Sequence, residues 1–488
     1  MVGGVMTRRR RGFLAVAMLL VLGLVNPTAP SVSHEPGGAA PLSADSVAYA
    51  TSAHVVTGII GRQSLPDWLP SGRVSQKELE AFEAELVARA SAPEGLDVTY
   101  DPDLSFGGLS VAALEDTVFA AYDLGLSVEE VLERGTYAND LGTLAATWES
   151  RPGYAGWGFD GSVPYVIWEG EIPRDVTSEL ATARYPMVQV YTSNFDLADM
   201  EAASAAVLDQ LTSSVNGDRV VFVDIDPRGA KLSVTTSAPL SAAEPRAVTQ
   251  TDPAFRIEYS VQGDIQYSPE RESQVSDHTK APPLPAPSAV PLAPIALRGG
   301  ASFKCTPGFT IVNMSSGTKR LATAGHCATH GASRPYRNHP VDDNSSATLY
   351  SPITYWDNGY DWGHYATGIN NALATYYYDY NAKRYVKGVG SPGHGQILSV
   401  FGWATRARKS AIVSVFSRSC SGGADDGKTH ALTVMDRHKT QSGDSGGPWF
   451  TSTHAYGVHS GTCTETGGTN SFTRVGIFPS RGWRVLTQ

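Results

Sequence analysis

At 488 residues with 41% hydrophobic content, the chain has room for two or three domains that each bury a core, which excludes a disordered or fibrous protein. Its formal charge of −10 is unevenly placed: from Arg298 to the end there are 19 Lys+Arg against 10 Asp+Glu, leaving 19 against 38 before it. Stretches of opposite sign in one chain predict that they sit against each other.

Arg8 to Arg11 precede an apolar run from Phe13 to Val25. A run of that length is too short for a hydrocarbon core, which needs roughly 20 residues, so the N-terminus reads as a signal peptide and not as a membrane anchor. Arg10-Arg11-Gly12-Phe13-Leu14 also resembles a twin-arginine export signal. Helical apolar spacing follows at Ser75 to Arg89 and Val111 to Leu124, and Ser127 caps a short helix to Arg134. Tyr154 to Phe159 and Val163 to Trp168, split by Asp160-Gly161, predict a hairpin. A strand to Tyr191, a helix from Leu197 to Leu211 and strands at Val220 to Ile225 and Ala230 to Val234 complete a small α+β unit with no cysteine.

Lys280 to Pro294 is rich in proline, which predicts an extended, semi-rigid and cleavable linker. Beyond it the chain becomes a series of short β-like runs (Phe309 to Val312, Ile397 to Val400, Ala411 to Phe416, Ala455 to Val458, Ser471 to Gly476) broken by Gly, Asn and Ser. That texture predicts a sandwich or barrel. All four cysteines (Cys305, Cys327, Cys420, Cys463) lie here. An even number in an exported chain predicts two disulfides, whereas a metal site wants closer pairs and a histidine at short spacing. Neither metal nor organic cofactor is expected.

Gly443-Asp444-Ser445-Gly446-Gly447-Pro448 is a serine bounded by glycines. Glycines let the N–H groups of Gly443 and Ser445 converge on one point, as an oxyanion hole requires. The G-x-S-x-G elbow of another hydrolase class needs an acid and then a histidine after the serine. Here only Glu465 follows, with no histidine after it, so that reading fails. The order His, Asp, Ser remains, with His326 in Leu321-Ala-Thr-Ala-Gly-His326-Cys327 as base and Ser445 as nucleophile.

Thr-Ala-Gly-His-Cys and Gly-Asp-Ser-Gly-Gly-Pro in this order resemble the chymotrypsin-like serine proteases, and most closely the bacterial streptogrisin group. The resemblance is strong over 298–488 and weaker over 154–236, which is similar to the pro-domain of such enzymes. It implies an all-β catalytic domain of two six-stranded β-barrels with the site between them, preceded by an α+β pro-domain. The expected divisions are a signal peptide at 1–33, a pro-region at 34–270, a linker at 271–297 and the protease at 298–488. Asp361 in Tyr360-Asp361-Trp362-Gly363 is expected to orient His326, with Asp357 as its rival. Cys305 is the natural partner of Cys327, which leaves Cys420 with Cys463, although the family usually places that cysteine nearer the serine.

The pattern Val458-His459-Ser460-Gly461 with Thr462 and Ser442 resembles the glutamate-specific members of the group, so these residues are expected to bind substrate. Lys439 is a candidate extra cation. From Arg298 onward the only glutamate is Glu465, which would protect such an enzyme from itself. Chymotrypsin-like or broad specificity, and an inactive homologue that binds without cleaving, are the alternatives. The expected partners are polypeptide substrates and the chain's own pro-region as folding aid and inhibitor. A secreted monomer with no nucleic-acid or stable membrane association is expected.

Overall fold

The computed structural model describes residues 52–56, 65–182, 187–213, 219–241, 244, 255–263, 265–266, 295–301, 305–327, 333–339, 345–354, 359–368, 370–421, 428–461, 464–465 and 469–488. The expected signal peptide, the proline-rich stretch to Pro294, Asp357, Thr462 and Cys463 lie outside them.

Three helices open the N-terminal region: α1 (Gln76–Ala90), α2 (Val111–Leu124) and α3 (Val128–Trp148). Ser75, Ser110 and Ser127 cap them, and Glu78 and Glu130 complete capping boxes on α1 and α3, satisfying amide donors that a helix start leaves open. Helix α3 runs well past Arg134, where the sequence suggests an end. Ala138, Leu141, Ala145 and Trp148 continue its buried stripe, so packing overrides the cost of Gly135 and Gly142. The hairpin Tyr154–Asp160 and Val163–Glu169 joins strand Val188–Ser193 in parallel. Helices α4 (Arg174–Thr182) and α5 (Leu197–Ser213) accompany this sheet. No helix among the described residues is long and apolar enough to cross a membrane.

The C-terminal part is all-β. Strands Ile397–Gly402, Pro448–Thr451, His454–His459, Ser471–Arg474, Lys428–Met435 and Ala407–Ser421 pair in that order, and the last pairs back to the first, closing a six-stranded barrel. Leu398, Val400, Val413, Met435, Trp449, Tyr456 and Phe472 fill it. The partner is an open half-barrel instead of the expected second closed one. Its six strands end at Ser333–Arg337 on one side and Trp483–Val485 on the other, without a ladder between them among the described residues. Tyr376, Tyr377 and Tyr378 are buried in the core beneath it. Strand Ala296–Gly299 also belongs here: it pairs in parallel with Asn371–Asp379, and Leu297 is buried. This strand starts at Ala296, two residues before Arg298.

The two regions share a sheet. Strand Val221–Asp226 pairs with Ser417–Ser421 of the closed barrel and with Lys231–Thr236, which in turn pairs with Arg256–Val261. Ion pairs run along the same contact: Arg298 and Lys383 with Asp97, Arg384 and Arg408 with Glu115 and Asp116, Arg418 with Asp224, Arg474 with Glu201. In each, the acid comes from the N-terminal region and the base from the β-domain, as the charge division predicts.

Candidate active site

Strand Lys319–Thr323 carries the chain into one 3-10 turn, Gly325–Cys327, which holds His326. The Cys305–Cys327 disulfide pins that turn, and pairing of Thr323 with Gly363 brings the preceding loop alongside. Asp361 is thereby set against His326. Its Oδ1 accepts the His326 backbone N–H at 3.0 Å, and His326 Nδ1 lies 3.0 Å from both carboxylate oxygens. An Nδ1–H held this way selects the neutral tautomer whose Nε2 carries the lone pair.

The Asp361 carboxylate is fully buried. Ser460 Oγ donates to its Oδ2, and Thr473 Oγ1 donates to the Asp361 carbonyl at 2.9 Å. Trp362, buried and stacked on Phe478 at 4.3 Å, covers the next position. A Cβ at Gly325 would stand 3.1 Å from Asp361 Oδ1 and 3.0 Å from Trp362 N, so a larger residue there would press the acid away from the ring.

Ser445 sits in the loop before strand Pro448–Thr451. Gly443 and Gly446 have φ of +100° and +85°, the left-handed region that glycine enters without strain. Ser445 is nearly fully buried. Its carbonyl accepts Thr306 N–H at 2.8 Å and lies 3.9 Å from Cys327 Sγ, so the residue after His326 packs on the serine. Gly446 N–H donates to His459 O at 2.7 Å, tying this loop to the strand that ends at His459.

His459 is fully buried. Trp449 Nε1–H donates to its Nδ1 at 3.3 Å, which leaves the proton on Nε2, 2.9 Å from Thr440 Oγ1; Thr440 donates onward to Asn470 Oδ1 at 3.1 Å. Burial, with the His438 and His326 charges adding, pushes the His459 ring down to about 3, so it is neutral at ordinary pH. Ser442 is half-buried beside Gly443, and Gly461 is buried with φ of +70°. The Ser460 hydroxyl is turned onto Asp361. Lys439 reaches Asp123 at the end of α2, 3.4 Å away, because that acid completes a neutralised contact between regions.

Sequence reading missed Thr306, Thr405, Thr440 and Thr473, since a lone threonine carries no signature at a distance. His339 and His364 are buried among rings: His339 stacks on Tyr377 at 3.8 Å, and His364 lies 4.6 Å from Trp483. The sulfurs beside His326 are joined in a disulfide and offer no ligand set. Cys420 is disulfide-bonded as well.

Residues 314–480 match the Trypsin family model. No curated protein gives a significant match. Among solved structures, Thermobifida fusca Protease A is 24% identical, with 40% of this chain and 100% of that one covered and a TM-score of 0.33. Nocardiopsis Protease is 23% identical over 39% of this chain and 100% of its own, also at 0.33. A glutamic acid specific serine protease, described as using a histidine triad in substrate binding, is 20% identical over 39% of this chain and 100% of its own, at 0.32. The matched segment is a trypsin-family domain of chymotrypsin-like type, and the chain is a serine endopeptidase.

Proposed function

We propose that this endopeptidase cleaves peptide bonds through Ser445, His326 and Asp361, and that it is made as a secreted zymogen whose residues before the β-domain fold and silence it. The observation that carries the reading is the His326 ring, held by Nδ1 at 3.0 Å from both Asp361 oxygens beside the Gly443–Gly447 loop. Ser445 Oγ attacks the substrate carbonyl as His326 Nε2 takes its proton, and Asp361 stabilises the imidazolium that forms. The N–H groups of Gly443 and Ser445 hold the oxyanion. His326 then gives the proton to the leaving amine, and water repeats the sequence on the acyl-enzyme.

A fluorophosphonate probe tests this: it should label Ser445 of the processed enzyme and fail with His326→Ala. Ser445→Ala and His326→Ala should each remove nearly all turnover without adding to one another. Asp361→Asn should keep the fold and lower the rate roughly 10⁴-fold. Full turnover in any of the three overturns the assignment.

The pro-region role is supported by the shared sheet and by Ile265–Gln266, which pair antiparallel with Glu465 and Thr464, a few residues past Gly461 on the same segment. A chain laid there competes with a substrate strand for the cleft edge. Export is supported by the N-terminal apolar run and by the Cys305–Cys327 disulfide.

The proposed preference is cleavage after glutamate. A buried substrate carboxylate needs several donors, and Ser442, Thr462 and the Nε2–H of His459 are the candidates. An arriving carboxylate would replace Thr440 as acceptor of that proton. The near absence of glutamate after Arg298 and the glutamate-specific protein among the similar structures agree with this. Peptides that differ only before the scissile bond decide it: a strong preference for Phe, Leu or Arg over Glu would leave only the broader protease.

A further inference from the structure

Asp444 precedes the serine and is fully buried, which ordinarily calls for a cation beside it. No cation pairs with it among the described residues. Its Oδ1 accepts Thr405 N–H at 2.9 Å, and its Oδ2 accepts Gln441 N–H at 2.9 Å together with the Thr405 hydroxyl. The carboxylate lies flat on Gly402, where a Cβ would come within 2.1 Å of it. Nearby bases are directed elsewhere. The Arg406 guanidinium stacks over Trp403 at 5.2 Å, Arg408 pairs with Asp116 at 2.9 Å and Lys409 approaches Asp123 at 3.9 Å. Burial pushes the Asp444 carboxyl above its usual range, and the bonds from Thr405, Gln441 and Ala404 offset this only in part, as expected for an acid held by neutral donors.

A second threonine grips the same loop from the other barrel. Thr306 stands next to the Cys305 end of the disulfide. Its hydroxyl donates to Gly443 O at 2.9 Å and accepts Trp403 N–H at 3.0 Å, while its own N–H donates to Ser445 O at 2.8 Å. Asp444 N–H and Asp444 O are closed within the loop by Gln441 O at 3.0 Å and Gly447 N–H at 2.9 Å. The peptide planes flanking the Ser445 N–H are therefore fixed by partners outside the reaction path. The turn that supplies Thr405 is closed by Arg406 N–H on Gly402 O at 2.9 Å.

We propose that Thr405 and Thr306 are positioning residues that set the oxyanion loop with neutral hydrogen bonds, so that its geometry depends on no charged group and on no new chain end created by processing. This rests on the assignment of the Gly443 and Ser445 N–H groups as oxyanion donors. Latency of the precursor then comes from covering the cleft and not from an unformed hole.

The test uses processed enzyme from the full chain carrying Thr405→Ala, Thr405→Ser, Thr306→Val or Thr306→Ser, with Ser445→Ala as control. Losing one oxyanion donor outright costs about 10²–10³ in kcat, so a loosened loop should cost about tenfold to a hundredfold. The loss should fall on kcat with KM nearly unchanged, affinity for a peptide boronic acid should drop in parallel, and the serine variants should recover most of it. Unchanged kcat in both hydroxyl-less variants overturns the proposal, as does equal loss in the serine variants. Activity surviving in Ser445→Ala would instead overturn the site assignment itself. Should the variants fail to mature, selective carbamylation of the α-amine of wild-type processed enzyme decides: retained turnover supports neutral anchoring, and abolished turnover shows that an ammonium holds Asp444.

Discussion

The N-terminal region and the β-domain handle charge in opposite ways. Within the N-terminal region, Arg89 with Glu85 and Arg228 with Asp160 are partly exposed pairs that contribute little, since water and salt screen them. Its acids Glu115 and Asp116 are instead buried against Arg384 and Arg408 of the β-domain. Arg384 also lies 3.8 Å over the Tyr378 ring and Arg408 3.9 Å over Phe119. A desolvated pair is a poor source of net stability but costs heavily when one partner is removed. The lesson is that the acidic region is shaped to complete the basic one, and removing it uncovers these arginines to solvent.

The sharpest way to break that comparison is Asp116→Ala. It strips Arg384, Arg408 and the Ser452 N–H of an acceptor at once, and should destabilise the precursor by about 3–5 kcal/mol in denaturant unfolding. A change typical of an exposed pair would mean that these arginines are already solvated.

Asp97 gives a smaller, pH-dependent effect. Burial raises its carboxyl, but the Arg298 and Lys383 bonds and charges outweigh this and hold it below the ordinary value of 3.8. A depressed acid stabilises above its unfolded pKa and loses that contribution as pH falls through the folded one. The stability gap between wild type and Asp97→Asn should thus be full at neutral pH and close on acidification below the ordinary value. A gap that stays constant to low pH contradicts the pairing. The smallest effect is expected for Asp209→Ala, a largely solvated acid beside Lys428; it should shift stability by less than about 1 kcal/mol.

How much of this was legible in the sequence differs between the regions for a physical reason. Helix α2 matches its reading from Val111 to Leu124, and α1 nearly so, because caps and 3.6-residue periodicity are local. The end of α3 was not legible, since its last turns are held by tertiary packing. His326 and Ser445 stand out in the sequence because their motifs are contiguous, and Asp361, which the fold sets against His326, because of its aromatic neighbour. The ladder from Val221–Asp226 to Ser417–Ser421 joins residues far apart in the chain, and no local pattern encodes such a pairing. The half-open first barrel and the strand at Ala296–Gly299 were missed for the same reason. The hydroxyl partners Thr306, Thr405 and Thr440 became visible only once folding brought the loops together.

The central claim is that the acidic region is a folding partner and inhibitor of the basic protease. Producing the chain from Ile295 onward, with and without residues 34–270 supplied in trans, tests it most directly, with active enzyme counted by fluorophosphonate titration. Because a barrel of non-local pairings folds slowly, the domain alone should yield little titratable enzyme. Supplying the separate region should restore the yield and, until that region is removed, suppress peptide cleavage. Full yield of active enzyme from the domain alone, with no inhibition on adding the N-terminal region, would contradict the account.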